Sequence, residues 1–437
     1  MLARHFPPIG GAGVHRSVGY ARHLAEYGYR PIVVTGPGRR SDRWTPEDPS
    51  LLAQVPEDTE VHRLPDAEPR GHAGLRGRAD RWLQRPQPWV PWWVDGAVEL
   101  GAAVGGGADL VLASCVPYET AEAGARLARL LGVPWVADLE DPWALDEMRV
   151  QPTAIHQRRD LARMRRALAS ASAIAMCAPE AAERVRRAMP EHARRVVSVP
   201  IGFDAESFAA EPPARSDGAL RIVHTGSLHT ELGRAHRRST ARRRLLGGTS
   251  LDTDILTRSP VFLLEAIQRL VDAEPAIGRR IEMHLAGDLT PGDRAACERY
   301  GFVREAGHLG HADTVALMRS ADLLFLPMHD LPEGRRAGLI PYKTYEYLAA
   351  ERPILAAVPD GDVRDLLEPL EHVSVCRPAD VAAMTREIRR WLERAPVGRV
   401  AQGRDSDDLG DLDRRRLVGR IATVFDGLLG APVPAAR

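Results

Sequence analysis

Apolar positions along this chain follow two rhythms. Short unbroken runs rich in β-branched residues cover 31–35, 109–113, 135–137, 173–176 and 196–199. Between them apolar residues return every three or four positions, as Val14, Val18, Ala21 and Leu24 do within 14–27. An unbroken run marks a strand buried on both faces, and the longer period marks a helix with one inward side. Their alternation predicts a parallel sheet covered by helices on both faces. The same grammar restarts after Ile201-Gly202-Phe203-Asp204 and a looser stretch at 209–218, with strands expected at 220–224, 281–285, 322–326 and 353–357. The expected fold is α/β, with two facing Rossmann-like, doubly wound domains at 1–203 and 204–400. A tail at 401–437 follows, with a helix near 411–429 that can pack back on the first domain. Such sheets bind ligands beyond the carboxyl ends of their strands, so the expected site is the cleft between the halves.

Two segments break the rhythm. Residues 66–93 gather Trp82, Trp89, Trp92 and Trp93 with Arg76, Arg78, Arg81 and Arg85. They are expected to form a packed lobe on the acceptor side, with docking on a bilayer surface as the alternative. Residues 229–258 carry Arg234, Arg237, Arg238, Arg242, Arg243 and Arg244 with little apolar content, which predicts a mobile loop.

Charged residues make up 27% and apolar residues 44% of the 437-residue chain, the balance of a globular protein of two or more domains. A formal net charge of zero speaks against a general nucleic-acid binder. Cys115, Cys177, Cys297 and Cys376 lie far apart, which disfavours a zinc site and fits a reduced, cytoplasmic protein. No run approaches the roughly 20 apolar residues of a membrane span.

Candidate chemistry concentrates at a few places. Lys343 is the only lysine, and it stands just after Pro341 at an expected helix start. Pro suits the first helical position, and a helix N-terminus attracts phosphate. Lys343 and Glu346, three apart, share a face that suits phosphate and ribose hydroxyls, leaving Tyr345, Leu348 and Ala349 to pack inward. Near the start, Gly10-Gly11-Ala12-Gly13 opens into a helix, so backbone N–H groups can approach an oxyanion. Arg16 occupies the place of the third glycine of a dinucleotide fingerprint, and the second strand ends without an acid, which disfavours hydride transfer. Asp138, Glu140 and Asp141 follow a strand, where acids can orient a hydroxyl or take a proton. In the second half Gly226, Gly287 and Gly307-His308-Leu309 end strands, where backbone groups and Leu309 can frame a base.

Together these residues resemble the glycosyltransferases of the GT-B fold, family 4 branch. The resemblance is carried by Phe6-Pro7-Pro8, Gly10-Gly11-Ala12-Gly13 and Arg16, by Ala137-Asp138 with Asp141-Pro142-Trp143, and by Thr225-Gly226. It continues through Arg258-Ser259-Pro260, Gly287 and Lys343 with Glu346-Tyr347-Leu348-Ala349-Ala350. It implies metal-independent sugar transfer with retained configuration from a nucleotide sugar held by the second domain, and no separate cofactor. Glu346 would bind the donor ribose and Lys343 the phosphates or donor sugar. Gly11, Gly13, Arg16, Gly226, Arg234, Gly287, His308 and Leu309 complete the expected donor set, and Asp138, Asp141 and Lys343 the expected catalytic set. The acceptor would be a glycan, a lipid-linked molecule or a small natural product, met in the cytoplasm or on the inner membrane face.

Two departures bear on this expectation. Many relatives place a second glutamate eight residues before the one at 346, where this chain has Gly338, and Asp330 or Glu333 would substitute if their loop folded inward. The arginine-rich segment also interrupts a region that supplies phosphate-binding cations. A non-catalytic nucleotide-sugar binder, and an epimerase or hydrolase on the same frame, therefore stand as alternatives.

Overall fold

The computed structural model describes residues 1–39, 45–65, 68–210, 218–394 and 410–430. It divides into two compact units. Part of the stretch expected to be loose at 209–218 and the start of the tail after 400 lie outside the described residues.

The first unit comprises Met1–Asp146, Ile155–Ile201 and the chain from Arg414 onward. Its seven-stranded sheet has the order β3-β2-β1-β4-β5-β6-β7 and is parallel throughout. The strands are β1 (Leu2–Ala3), β2 (Ile32–Thr35), β3 (Glu60–Arg63), β4 (Val111–Ser114), β5 (Trp135–Leu139), β6 (Ala173–Met176) and β7 (Val196–Ser198). β1 sits where the order reverses, between β2 and β4, and it runs into the glycine turn and the helix Ala12–His23. That reversal opens a crevice at the carboxyl ends of the strands, where ligands of such sheets bind.

The C-terminal helix Arg414–Leu429 completes the core of this unit. Leu417, Val418, Ile421 and Phe425 are each at most 2% exposed and pack with Tyr20, Leu24, Leu112 and Val136. Burial of each such side chain contributes about 1.5–3 kcal/mol, so the helix belongs to the core rather than to a dispensable tail. At its start the Arg414 side chain fills the space beside Gly19, where any Cβ would overlap it.

The second unit comprises Glu147–Ala154 and Gly202–Asp413. Its parallel sheet has the order β10-β9-β8-β11-β12-β13. The strands are β8 (Leu220–Thr225), β9 (Ile281–Ala286), β10 (Val303–Gly307), β11 (Leu323–Pro327), β12 (Ile354–Ala357) and β13 (Val373–Cys376). Ile222, Met283, Leu285, Leu323 and Phe325 from the sheet meet Leu263, Leu264 and Ile267 from one helix and Met384, Ile388 and Trp391 from another.

The arginine-rich segment departs from its sequence reading as a mobile loop. It forms the helix Thr230–Leu245, followed by a short turn of helix at Ile255–Thr257. Arginine and alanine are strong helix formers, and little apolar surface is needed to seat this helix. Gly233 lies against the backbone of Leu256, where a Cβ would come within 2.3 Å. Arg243 turns inward and donates to the carbonyls of Thr249 (2.9 Å) and His236 (3.3 Å). The cluster Arg242, Arg243 and Arg244 in the last turn also suits the helix dipole.

The tryptophan-rich stretch divides into two helices, Gly74–Leu83 and Trp89–Val104. Trp93 is fully buried and donates to Thr120 Oγ1, and Trp89 lies under the Arg4 guanidinium. The second helix is thus a packed lobe, whereas Trp82 on the first is exposed.

Candidate functional site

In the second unit, the expected helix start is seen at Tyr342–Ala349, with Pro341 one residue ahead in extended geometry. Tyr345, Tyr347 and Leu348 are buried and fix this helix against the sheet. The Tyr347 hydroxyl accepts from the Thr225 amide at 3.0 Å, which ties the helix to the carboxyl end of β8. That tie sets Lys343 beside the glycine that follows β8. Gly226 has φ +91, and a Cβ there would stand 3.1 Å from Lys343 Nζ. Gly287, after β9, has φ +131 and presses on the Gly226 carbonyl, where a Cβ would come within 2.9 Å. Both positions require glycine, for backbone conformation and for space.

Lys343 Nζ donates to His224 Nε2 at 3.2 Å, and His224 Nδ1 lies 3.0 Å from the Phe325 carbonyl. A carbonyl only accepts, so Nδ1 carries the proton and Nε2 offers its lone pair to the lysine. Burial, then the charges of Lys343 and Arg258, hold His224 well below its usual range and so neutral. Lys343 itself is lowered to about 7, first by burial and then by Arg258, with Glu346 opposing. Arg258 and Glu346 thus act on the lysine in opposite directions, and burial adds to the effect of Arg258. Glu346 is buried, and its Oε1 lies 3.2 Å from His311 Nε2.

This assembly unites Lys343, Glu346, Gly226 and Gly287 and adds three residues that the sequence reading left out of the donor set: His224, Arg258 and His311. Arg234, expected to supply the loop cation, is exposed on the helix Thr230–Leu245, and Arg258 is the arginine beside the lysine. His308 is exposed, 4.0 Å from Asp288, and His311, three residues on, reaches Glu346. Leu309 is half-buried, its carbonyl 3.5 Å from Thr314 Oγ1.

Around Gly338 the substitutes considered from sequence are placed elsewhere. Asp330 Oδ1 accepts from Arg377 at 2.6 Å, and Glu333 is exposed. The carboxylate that reaches Gly338 is that of Glu147, whose Oε1 accepts from the Gly338 amide at 3.0 Å and lies 3.2 Å from His329 Nε2. Both side chains are almost wholly buried. The segment carrying Glu147 is seated by Thr253 Oγ1 on the Glu147 carbonyl, by Thr249 and Ser250 hydroxyls on the Arg149 carbonyl, and by the Gln151 amide on Thr249 Oγ1. No spacing rule links positions 147 and 338, so this contact carries no sequence signal.

The first unit has its own cluster beyond β5. Arg16 and Asp138, both expected at the substrates, form a buried ion pair instead. Arg16 Nη2 lies 2.7 Å from Asp138 Oδ1, Nε donates to both carboxylate oxygens, and Nη1 donates to the carbonyls of Val199 and Pro200. Tyr20 donates to Asp138 Oδ2 at 3.0 Å. These groups satisfy each other and lock helix Ala12–His23 to β5, which gives both residues a structural role.

Glu140, two residues on, is not drawn into this pair. Its Oε1 is buried without a hydrogen-bond partner among the described residues. Burial, then Asp141 and Asp138 against the opposing pull of Arg16, push its carboxyl up to about 8. Gly13 approaches it closely, since a Cβ there would lie 3.4 Å from Glu140 Oε2 and 3.0 Å from Val116. Asp141 is half-buried at its side, and Gly11 caps the glycine-turn helix. Trp143 stacks on Tyr118 with ring centroids 5.0 Å apart and makes a flat aromatic floor nearby in the chain.

Residues 10–202 match the glycosyl transferase 4-like domain, and residues 258–394 match the glycosyl transferases group 1 family. No curated protein matched the sequence. Among solved structures, Anabaena HepE (Alr3699) in complex with UDP and glucose is similar over 98% of each chain, with 16% identity and a TM-score of 0.59. The E. coli trehalose-6-phosphate structure bound with UDP-2-fluoro glucose is similar over 99% of this chain and 98% of its own, with 12% identity and a TM-score of 0.60. Sucrose-phosphate synthase from Thermosynechococcus elongatus is similar over 95% and 93%, with 15% identity and a TM-score of 0.56. With two glycosyltransferase domains matched in order and the fold shared over the full length, the chain belongs to the two-domain glycosyltransferases of the GT-B fold.

Proposed function

We propose that this enzyme transfers a hexose, with retention of configuration and without a metal ion or separate cofactor, from a nucleotide sugar to a hydroxyl of a glycan, lipid-linked or natural-product acceptor. The observation that carries the reading is the cluster in the second unit where Lys343 lies against Gly226, and burial and the Arg258 charge lower its pKa to about 7 against the pull of Glu346. A diphosphate there would hold the lysine proton and pair with both cations. Glu346, held by His311, then accepts from the ribose hydroxyls. UDP in solved relatives of the same fold supports a uridine donor.

In the reaction, the bond from the anomeric carbon to the diphosphate oxygen breaks, and its electron pair leaves with the diphosphate. The acceptor oxygen bonds to the same face of that carbon, and its proton passes to the departing phosphate oxygen. Lys343 and Arg258 stabilise the charge that builds on the leaving group, a contribution fixed cations make without a metal. Glu140, its carboxyl raised to about 8 by burial, donates a hydrogen bond to the acceptor on the first unit. Asp141 is the second acceptor-side acid.

A melting-temperature panel of UDP-, GDP-, ADP-, CMP- and TDP-sugars with the parent and Glu346→Ala tests the donor site. Saturating ligand adds roughly 2–4 kcal/mol of stability, so one nucleotide should raise the parent's melting temperature and not the variant's. Product analysis follows with that donor. A donor that binds but is never turned over would instead make the chain a binding subunit, and a donor changed without acceptor would make it an epimerase or hydrolase.

A further inference from the structure

The helix Gly74–Leu83 is amphipathic in the reverse sense. Leu75, Ala79, Trp82 and Leu83 fall within an arc about 100° wide on a helix of 3.6 residues per turn. That arc faces solvent: Leu75 is 82% exposed, Trp82 48% and Leu83 45%. The side turned to the protein carries Gly77 and Asp80. Gly77 lies so close to the His72 carbonyl that a Cβ would overlap it, and Asp80 Oδ2 lies 2.7 Å from His72 Nδ1. The helix is therefore held by its polar side, with its apolar stripe outward. Its last turn is anchored to the helix Ala154–Leu168 through His156 Nε2 on the Trp82 carbonyl at 2.6 Å, which brings in Ile155, 59% exposed.

Exposed charge along these two helical segments is of one sign. Arg76, Arg78, Arg81 and Arg85 are exposed along and after this helix, and Arg158 and Arg159 are exposed beside Ile155. The acids of residues 69–94 and 153–163 are Asp80 and Asp160, both buried, the latter accepting from Trp143 Nε1. A narrow, convex apolar stripe flanked by arginines and free of exposed carboxylates is the form of a helix that lies in a lipid interface.

We propose that this face of the first unit docks on the surface of an anionic bilayer, with Leu75, Trp82, Leu83 and Ile155 entering the boundary between headgroups and chains and the arginines pairing with lipid phosphates. The contact is peripheral, since no described helix is long and apolar enough to cross a membrane. It stands on this surface alone and is independent of the transfer reaction.

Flotation of the full chain with vesicles of phosphatidylcholine alone, or with about a third phosphatidylglycerol, tests it. The parent should float with anionic vesicles at low salt and be released by high salt. Arg76→Gln with Arg78→Gln should weaken partition about 25-fold, about fivefold for each arginine. Leu75→Ser with Leu83→Ser should weaken it at least tenfold, since each leucine loses most of its transfer energy. The altered side chains are exposed, so unchanged melting temperatures confirm intact folding. A parent that stays down with anionic vesicles, or paired variants that float as it does, overturns the proposal. A concentration-dependent dimer that Leu75→Ser with Leu83→Ser dissociates, without vesicle binding by the parent, assigns the stripe to a second copy of this chain and overturns it equally.

Discussion

Arg16 and Lys343 are both walled-in cations beyond the carboxyl end of a parallel sheet, each close to a glycine turn, and they are solved in opposite ways. Arg16 meets Asp138 twice, two carbonyls and Tyr20, and its charge is reinforced against burial. Lys343 meets one neutral imidazole, a second cation and a single carboxylate that is shared with His311, and its proton is loosened to about 7. Arg16 stands on the helix after β1 and Lys343 on the helix between β11 and β12, and a walled-in cation is structural where its partners saturate it. Where its partners leave its proton loosened, the proposed function makes it the site for the diphosphate. The difference lies in the sum of partners, and that sum is a property of the folded chain.

The largest effect should come from breaking the satisfied pair. Arg16→Met leaves Asp138 buried without its counter-charge and should cost about 3–5 kcal/mol in denaturant unfolding. Arg16→Met with Asp138→Leu should recover part of this loss, and a pair of additive losses would show that the two residues do not act together. Lys343→Ala should leave the fold intact and lower kcat/KM about 100- to 1,000-fold, as expected for a group that stabilises transition-state charge. Turnover equal to the parent's would remove Lys343 from the reaction.

Smaller effects sharpen the comparison within the second unit. Glu147→Ala should cost about 1–3 kcal/mol by leaving the Gly338 amide and His329 without their acceptor. Glu147→Gln keeps an acceptor oxygen and should restore most of it. If Glu147 positions the loop ahead of Lys343, the alanine variant should also raise KM for the donor, and the glutamine variant should not. Arg258→Ala should slow transfer about tenfold or more, whereas Arg234→Ala should match the parent. The reverse result would return the phosphate role to Arg234.

Two doubly wound sheets were legible in the sequence because strands buried on both faces read as unbroken apolar runs. Lys343 and Glu346 were legible because helical spacing and a proline place them on one short helix. Arg16 and Asp138 were visible as residues, and their pairing was not, because 122 positions separate them and only the approach of helix Ala12–His23 to β5 brings them together. The same limit hid Glu147, 191 positions from Gly338. The helix Thr230–Leu245 was missed for another reason. Its buried side is made of Gly233, His236 and Arg243, and hydrophobic periodicity cannot see a face seated by a glycine and an arginine.

The finest test of the contrast is a count of protons. At pH 8 a lysine with a pKa of about 7 has lost most of its charge, and bound diphosphate raises that pKa by supplying the missing anion. A nucleotide sugar has no phosphate that titrates near this pH, so uptake on binding belongs to the protein. Calorimetry at pH 8 in buffers of different ionisation enthalpy should give up to about 0.9 proton taken up by the parent. Lys343→Arg stays charged throughout and should bind with no uptake. The free protein offers a check of sign. Because the folded pKa lies below the unfolded one, the unfolded chain holds the extra proton between pH 7 and about 10, so stability owed to this site rises with pH across that window. Lys343→Met should therefore gain most over the parent below pH 7 and converge with it towards pH 10. Equal uptake by Lys343→Arg and the parent would assign the proton to another group and end the contrast with Arg16, whose charge is already satisfied before any ligand arrives.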